Sequence, residues 1–188
     1  IHPEFLADQL TLSLDRLGLA TLDVCLLHNP EYFLSHATRL GASEQRELST
    51  LRDEFYARLQ LAFEYCERQV EAGRLRGYGV SSNTSTASPD EPGATSVSRM
   101  IEAAKAAAKN VGAAAHHFTV LQCPMNVHES GAALIKNTGP DNGSTLLDEA
   151  LREGVAVLVN RPLNAMPAQR GGVVRLADVP VPAPEALE

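Results

Sequence analysis

The sequence is poor in aromatic residues and in cysteine, and it contains no tryptophan. Its three cysteines, Cys25, Cys66 and Cys123, are odd in number, widely spaced and each in an apolar context. This pattern argues against a disulfide framework and predicts reduced thiols in a cytoplasmic protein. No apolar run approaches the roughly eighteen residues of a membrane-spanning helix, and no basic segment precedes a signal-like stretch. We therefore expect no membrane partner.

Basic residues are also scarce. Sixteen Lys and Arg residues stand against twenty-three Asp and Glu residues, which gives a net charge of −7, and the basic residues form no cluster. Because proteins bind phosphate backbones through clustered Lys and Arg, this charge pattern argues against a nucleic-acid partner. The 188 residues, 44% hydrophobic and 21% charged, are typical of one globular domain. The oligomeric state is left open.

Four units in which a helix precedes a strand follow one another along the sequence. In the first, leucines at helical spacing predict an amphipathic helix from Pro3 to Leu17, and the apolar run Leu22 to Leu27 predicts a buried strand. The later strands are predicted at Leu75 to Ser81, Phe118 to Cys123 and Val155 to Val159. Their helices are predicted to run from a cap at Ser43 to Gly73, from Val97 to Gly112, and from about Ser144 to Gly154. Strands that alternate with helices form a parallel sheet.

The connections between these elements are unequal in length. Those from strand to helix are long and polar, at 29–42, 82–94 and 124–143, whereas those from helix to strand are short. In α/β folds the ligand binds at the carboxyl ends of the strands, where His28 is predicted to lie. The sequence lacks the G-x-G-x-x-G turn that is typical of a doubly wound sheet, so a closed (β/α)8 TIM barrel is favoured.

Four units amount to half of such a barrel, which has about 250 residues. We therefore predict a partial (β/α)8 barrel over residues 1–170. An extended proline-rich tail is predicted over residues 171–188, where Pro180, Pro182 and Pro184 alternate with other residues.

Four segments, in this order, resemble the aldo-keto reductase superfamily: LTLSLDRLGLATLDVCLLHNP, EAGRLRGYGVSSN, VLQCPMN and EGVAVLVNRPL. The resemblance spans nearly the whole chain and implies that its strands are the fourth to the seventh of the barrel. It also implies an enzyme that transfers hydride from NADPH or NADH to a small-molecule carbonyl compound. In that family a tyrosine is the general acid/base, and an Asp, a Lys and a His assist it.

By this resemblance His28 is the catalytic histidine. A neutral imidazole can donate an N–H to a carbonyl oxygen and polarise it, so the residue type suits the role. Asn29, the next residue, is assigned to substrate binding. The four tyrosines of the chain do not match the catalytic position, and the resemblance places the Asp, Tyr and Lys upstream of Ile1. The chain by itself is therefore expected to be inactive.

The resemblance also implies a set of contacts to the nicotinamide carboxamide. Ser81 matches the serine of the family's Ser-Asn pair, and Ser82 stands where the asparagine is usual, so either Ser82 or Asn83 is predicted to replace that contact. Gln122 matches the glutamine that meets the same carboxamide. An amide suits this role because it offers both a donor and an acceptor.

The segment NRPL resembles the family's cofactor-binding strand end more loosely. Asn160 stands where an aromatic residue commonly stacks on the nicotinamide, and Arg161 stands where a small polar residue meets the pyrophosphate. Arg161 can pair with a phosphate. Leu163 completes this cofactor-binding set, and Asn126 fits the Q-x-x-x-N spacing of part of the superfamily.

Other interpretations of the same residues stay open. The barrel can bind a nicotinamide without catalysis, as a sensor or subunit, and His28 alone can be a strand-end histidine bonded to backbone. A metal-dependent hydrolase would recruit His28, Cys123 and His128, but the sequence has no close ligand pair, and no metal is predicted. Cys25 and His28 are three residues apart on a strand, so they are expected on opposite faces rather than as a nucleophilic pair.

Overall fold

The computed structural model describes residues 2–42, 44–166 and 172–176. Its main elements are α1 (Pro3–Leu17), β1 (Leu22–His28), α2 (Tyr32–Arg39), α3 (Gln45–Glu71), β2 (Leu75–Ser81), α4 (Val97–Val111), β3 (Phe118–Pro124), α5 (Gly131–Leu134), β4 (Lys136–Thr138), β5 (Ser144–Thr145), α6 (Leu146–Arg152), β6 (Ala156–Asn160), β7 (Asn164–Ala165) and β8 (Val174–Arg175). A 3₁₀ turn at Pro140–Asn142 separates β4 from β5. The four predicted helix-strand units and the α/β class are confirmed.

The four long strands form one parallel sheet in the order β1-β2-β3-β6. Right-handed crossovers that all step in the same direction along a sheet place their helices on the same face. The helices agree with this rule, since α1 contacts α3, α3 contacts α4, and α4 contacts α6. The sheet therefore has one face under a helix layer and, within the described residues, a second face without helices.

The core lies between the sheet and the helix layer. Tyr78 of β2 and Phe118 of β3 face α3, and the Phe63 ring of that helix lies 5.1 Å and 5.5 Å from their ring centroids. All three side chains are at most 2% exposed. Burying a side chain of this size stabilises the fold by about 1.5–3 kcal/mol.

The opposite face is much more open. Strand residues that alternate with the core-facing ones include Val24 and Leu158, which are 39% and 47% exposed. Strands of parallel sheets are normally covered on both faces. We call this side of the sheet the open face.

The pairing of β2 with β3 is irregular at Gly79. Tyr78 pairs with Phe118, but Gly79 pairs with Val120, so one residue of β3 is skipped. A Cβ atom on Gly79 would lie 1.8 Å from the backbone oxygen of Val120. Only glycine lets the two strands approach this closely.

Replacing Gly79 with alanine is expected to lower the free energy of unfolding by about 2–3 kcal/mol, because the added methyl group meets backbone that cannot move aside alone. Urea unfolding of the full-length protein measures the effect. Gly93→Ala is the matched control, since its Cβ would have no neighbour closer than 3.8 Å. Equal losses of unfolding free energy in the two variants would contradict the close approach of β2 and β3 at Gly79.

Two of the connections predicted as polar loops contain structure, which corrects the sequence interpretation. Connection 29–42 holds α2, where Leu34 is 3% exposed and the Arg58 guanidinium lies 4.4 Å from the Phe33 ring centroid. Packing on α3 stabilises this short helix, which its own sequence does not favour. Connection 124–143 holds α5, β4 and the 3₁₀ turn, and β4 pairs with β5.

Several element ends also differ from prediction. Helix α6 begins at Leu146 rather than near Ser144 because Thr145 and Asp148 form a capping box. Strand β6 is displaced by one residue, to Ala156–Asn160. The predicted cap at Ser43 lies outside the described residues, and α3 begins at Gln45.

Strands β7 and β8 form a short antiparallel pair after the sheet. Of the tail predicted over 171–188, the structure describes residues 172–176, which include β8; the three alternating prolines lie outside the described residues. Along the described part of the chain, no helix combines the length and the apolar character that crossing a membrane requires.

Candidate functional site

Three of the predicted site residues form one row across the open face. His28 pairs with Ser81, and Ser81 pairs with Gln122; His28 and Ser81 end their strands, and Gln122 lies two residues before the end of β3. Residues paired across parallel strands point to the same face, and neighbouring strands are about 4.8 Å apart. The Ser81 hydroxyl donates a hydrogen bond of 2.8 Å to the Gln122 carbonyl oxygen. We call these three residues the polar row.

His28 ends β1 and is exposed. Among the described residues, no hydrogen bond joins its imidazole to another residue, and the side chain is accessible from solvent. Cys25 pairs with Tyr78, which faces the helices, so the predicted separation of Cys25 from His28 is confirmed. Burial raises the pKa of the Cys25 thiol, which makes it a poor nucleophile.

A second set of side chains links the loops that follow all four strands. The Asn83 amide nitrogen donates to the Asn29 side-chain oxygen at 3.1 Å, and Arg161 donates to the Asn83 side-chain oxygen. Arg161 also pairs with Glu129, with 2.7 Å between Nη1 and Oε1. These four residues, which we call the strand-end network, border the polar row.

The backbone is strained at both ends of this network. Asn29 and Arg161, which directly follow the last residues of β1 and β6, have φ angles of 47° and 56°. Asparagine tolerates this left-handed conformation, but for arginine it costs about 1–2 kcal/mol. The hydrogen bonds of the network hold Arg161 in a conformation that turns its guanidinium toward Asn83 and Glu129.

Asn126 shapes the loop that carries Glu129. Its side-chain oxygen accepts the N–H groups of His128 and Glu129, both at 2.9 Å, and its nitrogen donates to the Glu129 carboxylate at 2.8 Å. This turn aims Glu129 at Arg161. The charge of Arg161 is therefore already paired, so a cofactor phosphate predicted to bind there would compete with Glu129.

The remaining predicted residues lie apart from the polar row. Ser82 is fully buried, and its hydroxyl lies 3.3 Å from that of Thr95. Of the two candidates for the family's asparagine contact, Asn83 joins the network, whereas the buried Ser82 hydroxyl accepts the Thr84 N–H at 3.3 Å and lies beside the Glu31 carboxylate. The Asn160 side-chain oxygen is buried without a hydrogen-bond partner among the described residues. Leu163 is 54% exposed, and its carbonyl accepts the Leu176 N–H at 2.8 Å.

The sequence interpretation missed Glu31, which is 1% exposed. Its carboxylate accepts the backbone N–H of Asn83 at 2.7 Å. Burial raises the pKa of this carboxyl, while hydrogen bonds from its own backbone, from the Asn83 backbone and from the Ser82 side chain lower it, as does the nearby His28 imidazole. The signal that was present is a glutamate three residues after the strand-end histidine, in HNPE. Glu129 was missed as well, because acidic residues in loops are usually solvated.

A cleft of about 840 Å³ opens beside the network. Its polar wall includes Asn83, Glu129 and Arg161, and its apolar wall includes Pro124, Leu134 and Met166. Small organic ligands bind in clefts of this size, with apolar walls and a few placed polar groups.

The structure does not bring together the three ligands of the metal-hydrolase alternative. Within the ranges that the structure describes, no three His, Cys, Asp or Glu side chains converge on a point where a metal ion would bind. Cys123 pairs with Val159 rather than joining the row, and it is fully buried. Burial raises the pKa of its thiol to about 11.

Comparison of the chain with models of known protein families found no match, and comparison with curated proteins found none either. The resemblance to aldo-keto reductases therefore stays a prediction from the sequence. The functional proposal therefore rests on the polar row, the strand-end network and the cleft.

Proposed function

We propose that the chain is part of a cytoplasmic (β/α)8 barrel of the aldo-keto reductase type, which reduces a small aldehyde or ketone to an alcohol with NADPH or NADH. The observation that carries this proposal is the polar row. His28, Ser81 and Gln122 come from three separate segments of the chain, yet they lie side by side on one face at the carboxyl edge of the sheet. Ligand sites of α/β barrels lie at that edge.

The open face supports the barrel part of the proposal. A barrel has its helices outside and its strands in sequential order, which is the arrangement of the four long strands and their helices. Exposed apolar side chains such as Val24 and Leu158 would then lie inside the closed barrel. Closure would also pair the free edges of β1 and β6.

The residues beside the row fit a nicotinamide carboxamide. Ser81 donates to the Gln122 oxygen, which leaves the Gln122 amide nitrogen free to donate to a ligand. The buried, unpaired oxygen of Asn160 is an acceptor two residues beyond Leu158, the residue that pairs with Gln122. When bound, the cofactor would supply a hydride.

The chain's own residues then act on the carbonyl compound. The exposed His28 imidazole donates an N–H to the carbonyl oxygen, which withdraws electron density from the carbon and orients the substrate. The apolar wall of the cleft, including Leu134 and Met166, holds the organic part of the substrate. The proton for the product oxygen comes from a general acid, a role that the resemblance gives to a tyrosine.

Fluorescence titration of the full-length protein with NADPH and NADH tests the proposal, followed by turnover assays on a panel of aldehydes and ketones. We expect saturable binding of at least one nicotinamide, and its oxidation when a carbonyl compound is present. Binding without turnover on any compound would favour a nicotinamide-binding sensor or subunit. Failure to bind either nicotinamide would overturn the proposal.

A further inference from the structure

The Glu31 carboxylate is buried, and burial is unfavourable for a charged group. The residue is 1% exposed, and its Oε2 atom is buried without a hydrogen-bond partner among the described residues. A buried carboxylate with an unpaired oxygen costs free energy unless it has strong partners. The Oε1 atom has such a partner, the backbone N–H of Asn83 at 2.7 Å.

This bond joins the turn after β1 to the turn after β2. The Asn83 N–H is bound by Glu31, its amide nitrogen donates to Asn29 at 3.1 Å, and its amide oxygen accepts from Arg161. Of these three contacts, only the one from Glu31 holds the backbone. The position of Asn83, two residues after Ser81 of the polar row, therefore depends on this carboxylate.

We propose that Glu31 is a positioning residue, which holds the backbone of Asn83, two residues after Ser81, in the place where the nicotinamide carboxamide binds. This inference rests on the proposed function. The carboxylate itself does not touch the ligand, because Glu31 is 1% exposed and its carboxylate binds the Asn83 backbone. Glu31 itself is not among the residues that line the cleft with Leu134 and Met166.

Ligands with and without a nicotinamide ring therefore provide the test. NADPH is compared with 2′-phospho-ADP-ribose, or NADH with ADP-ribose if the protein prefers NADH, by titration of the full-length protein. Glu31→Ala is expected to raise the Kd of the nicotinamide about tenfold, as for loss of a charge-assisted hydrogen bond. The Kd of the ring-free ligand should stay within about twofold, because Arg161, where its pyrophosphate is predicted to bind, keeps its ion pair with Glu129 when Asn83 shifts.

Two further variants complete the experiment. Glu31→Gln keeps an oxygen that can accept the Asn83 N–H, so we expect a smaller rise of about threefold, again for the nicotinamide alone. If Glu31→Ala fails to fold, Glu31→Gln allows the same comparison of the nicotinamide with the ring-free ligand. Glu71→Gln, the same change at an exposed position of α3, is the matched control and should leave both constants unchanged.

The outcomes are distinguishable. A selective loss of nicotinamide affinity supports the positioning role. Equal losses of affinity for the two ligands would indicate a general structural role for Glu31 and would overturn the positioning role. Unchanged affinities in both Glu31 variants would overturn it as well. If the unaltered protein binds neither NADPH nor NADH, the proposed function fails and the role of Glu31 fails with it.

Discussion

Replacing His28 with alanine is expected to lower kcat/KM for carbonyl reduction at least about a hundredfold, while the Kd of NADPH or NADH changes less than about threefold. Placed hydrogen-bond donors and general acid/base groups contribute rate factors of this size. His28 is exposed and bonded to no other described side chain, so its removal should leave the fold intact. Steady-state kinetics and fluorescence titration of the full-length protein measure the two constants separately.

The matched control is His36→Ala, at an exposed position of α2. It removes the same imidazole from a neighbouring element and should leave both constants unchanged. Equal kcat/KM values for His28→Ala and the unaltered protein would remove His28 from the mechanism. A large rise in the nicotinamide Kd would instead assign His28 to cofactor binding.

Replacing Glu67 with alanine is expected to lower the free energy of unfolding by about 2–6 kcal/mol, because two polar groups lose their acceptor and each such loss costs about 1–3 kcal/mol. The Glu67 side chain is fully buried in α3. Its carboxylate accepts the Tyr78 hydroxyl at 2.7 Å and the His117 N–H at 2.8 Å, and it lies 2.7 Å from the His117 ring nitrogen Nδ1. Alanine would leave a buried hydroxyl and a backbone N–H without their acceptor.

Urea unfolding measures this loss, and Glu71→Ala, one helical turn further along α3 at an exposed position, is the control. Tyr78→Phe removes the hydroxyl alone. Burial and the Glu67 carboxylate raise the pKa of Tyr78, so the hydroxyl stays protonated and donates. We expect Tyr78→Phe to cost about 1 kcal/mol and the double variant to show coupling between the two residues. A Glu67→Ala loss no larger than that of Glu71→Ala would contradict the prediction.

The Glu67 cluster also illustrates how far a sequence interpretation reaches. His117 comes before β3, at the amino edge of the sheet, and a packing or solvent role was expected there because ligands bind at the opposite edge. The structure gives His117 a partner on α3, fifty residues earlier in the chain. The position of His117 at the amino edge of the sheet was predictable from the sequence. Its partner Glu67 was not, because no local sequence pattern links the two residues.

The polar row was predictable in part. The end of an apolar run placed His28 at the carboxyl edge of the sheet, whereas Ser81 and Gln122 were assigned to the site by the resemblance. The strand register brings the three together. The choice between Ser82 and Asn83 was not predictable. It depends on how the chain turns after β2, which buries Ser82 beside Thr95 and leaves Asn83 in the network.

The sequence alone determined the α/β class, the four helix-strand units and the edge where polar groups collect, because hydrophobic periodicity and helix-ending glycines are local properties of the chain. Tertiary structure decided the helix after β1, the burial of Glu31 and the strand-end network. In that network Arg161 meets Asn83 across 78 residues of sequence. Such contacts depend on strand register and on the directions in which turns leave the sheet, and these follow from packing of the whole domain rather than from any short segment.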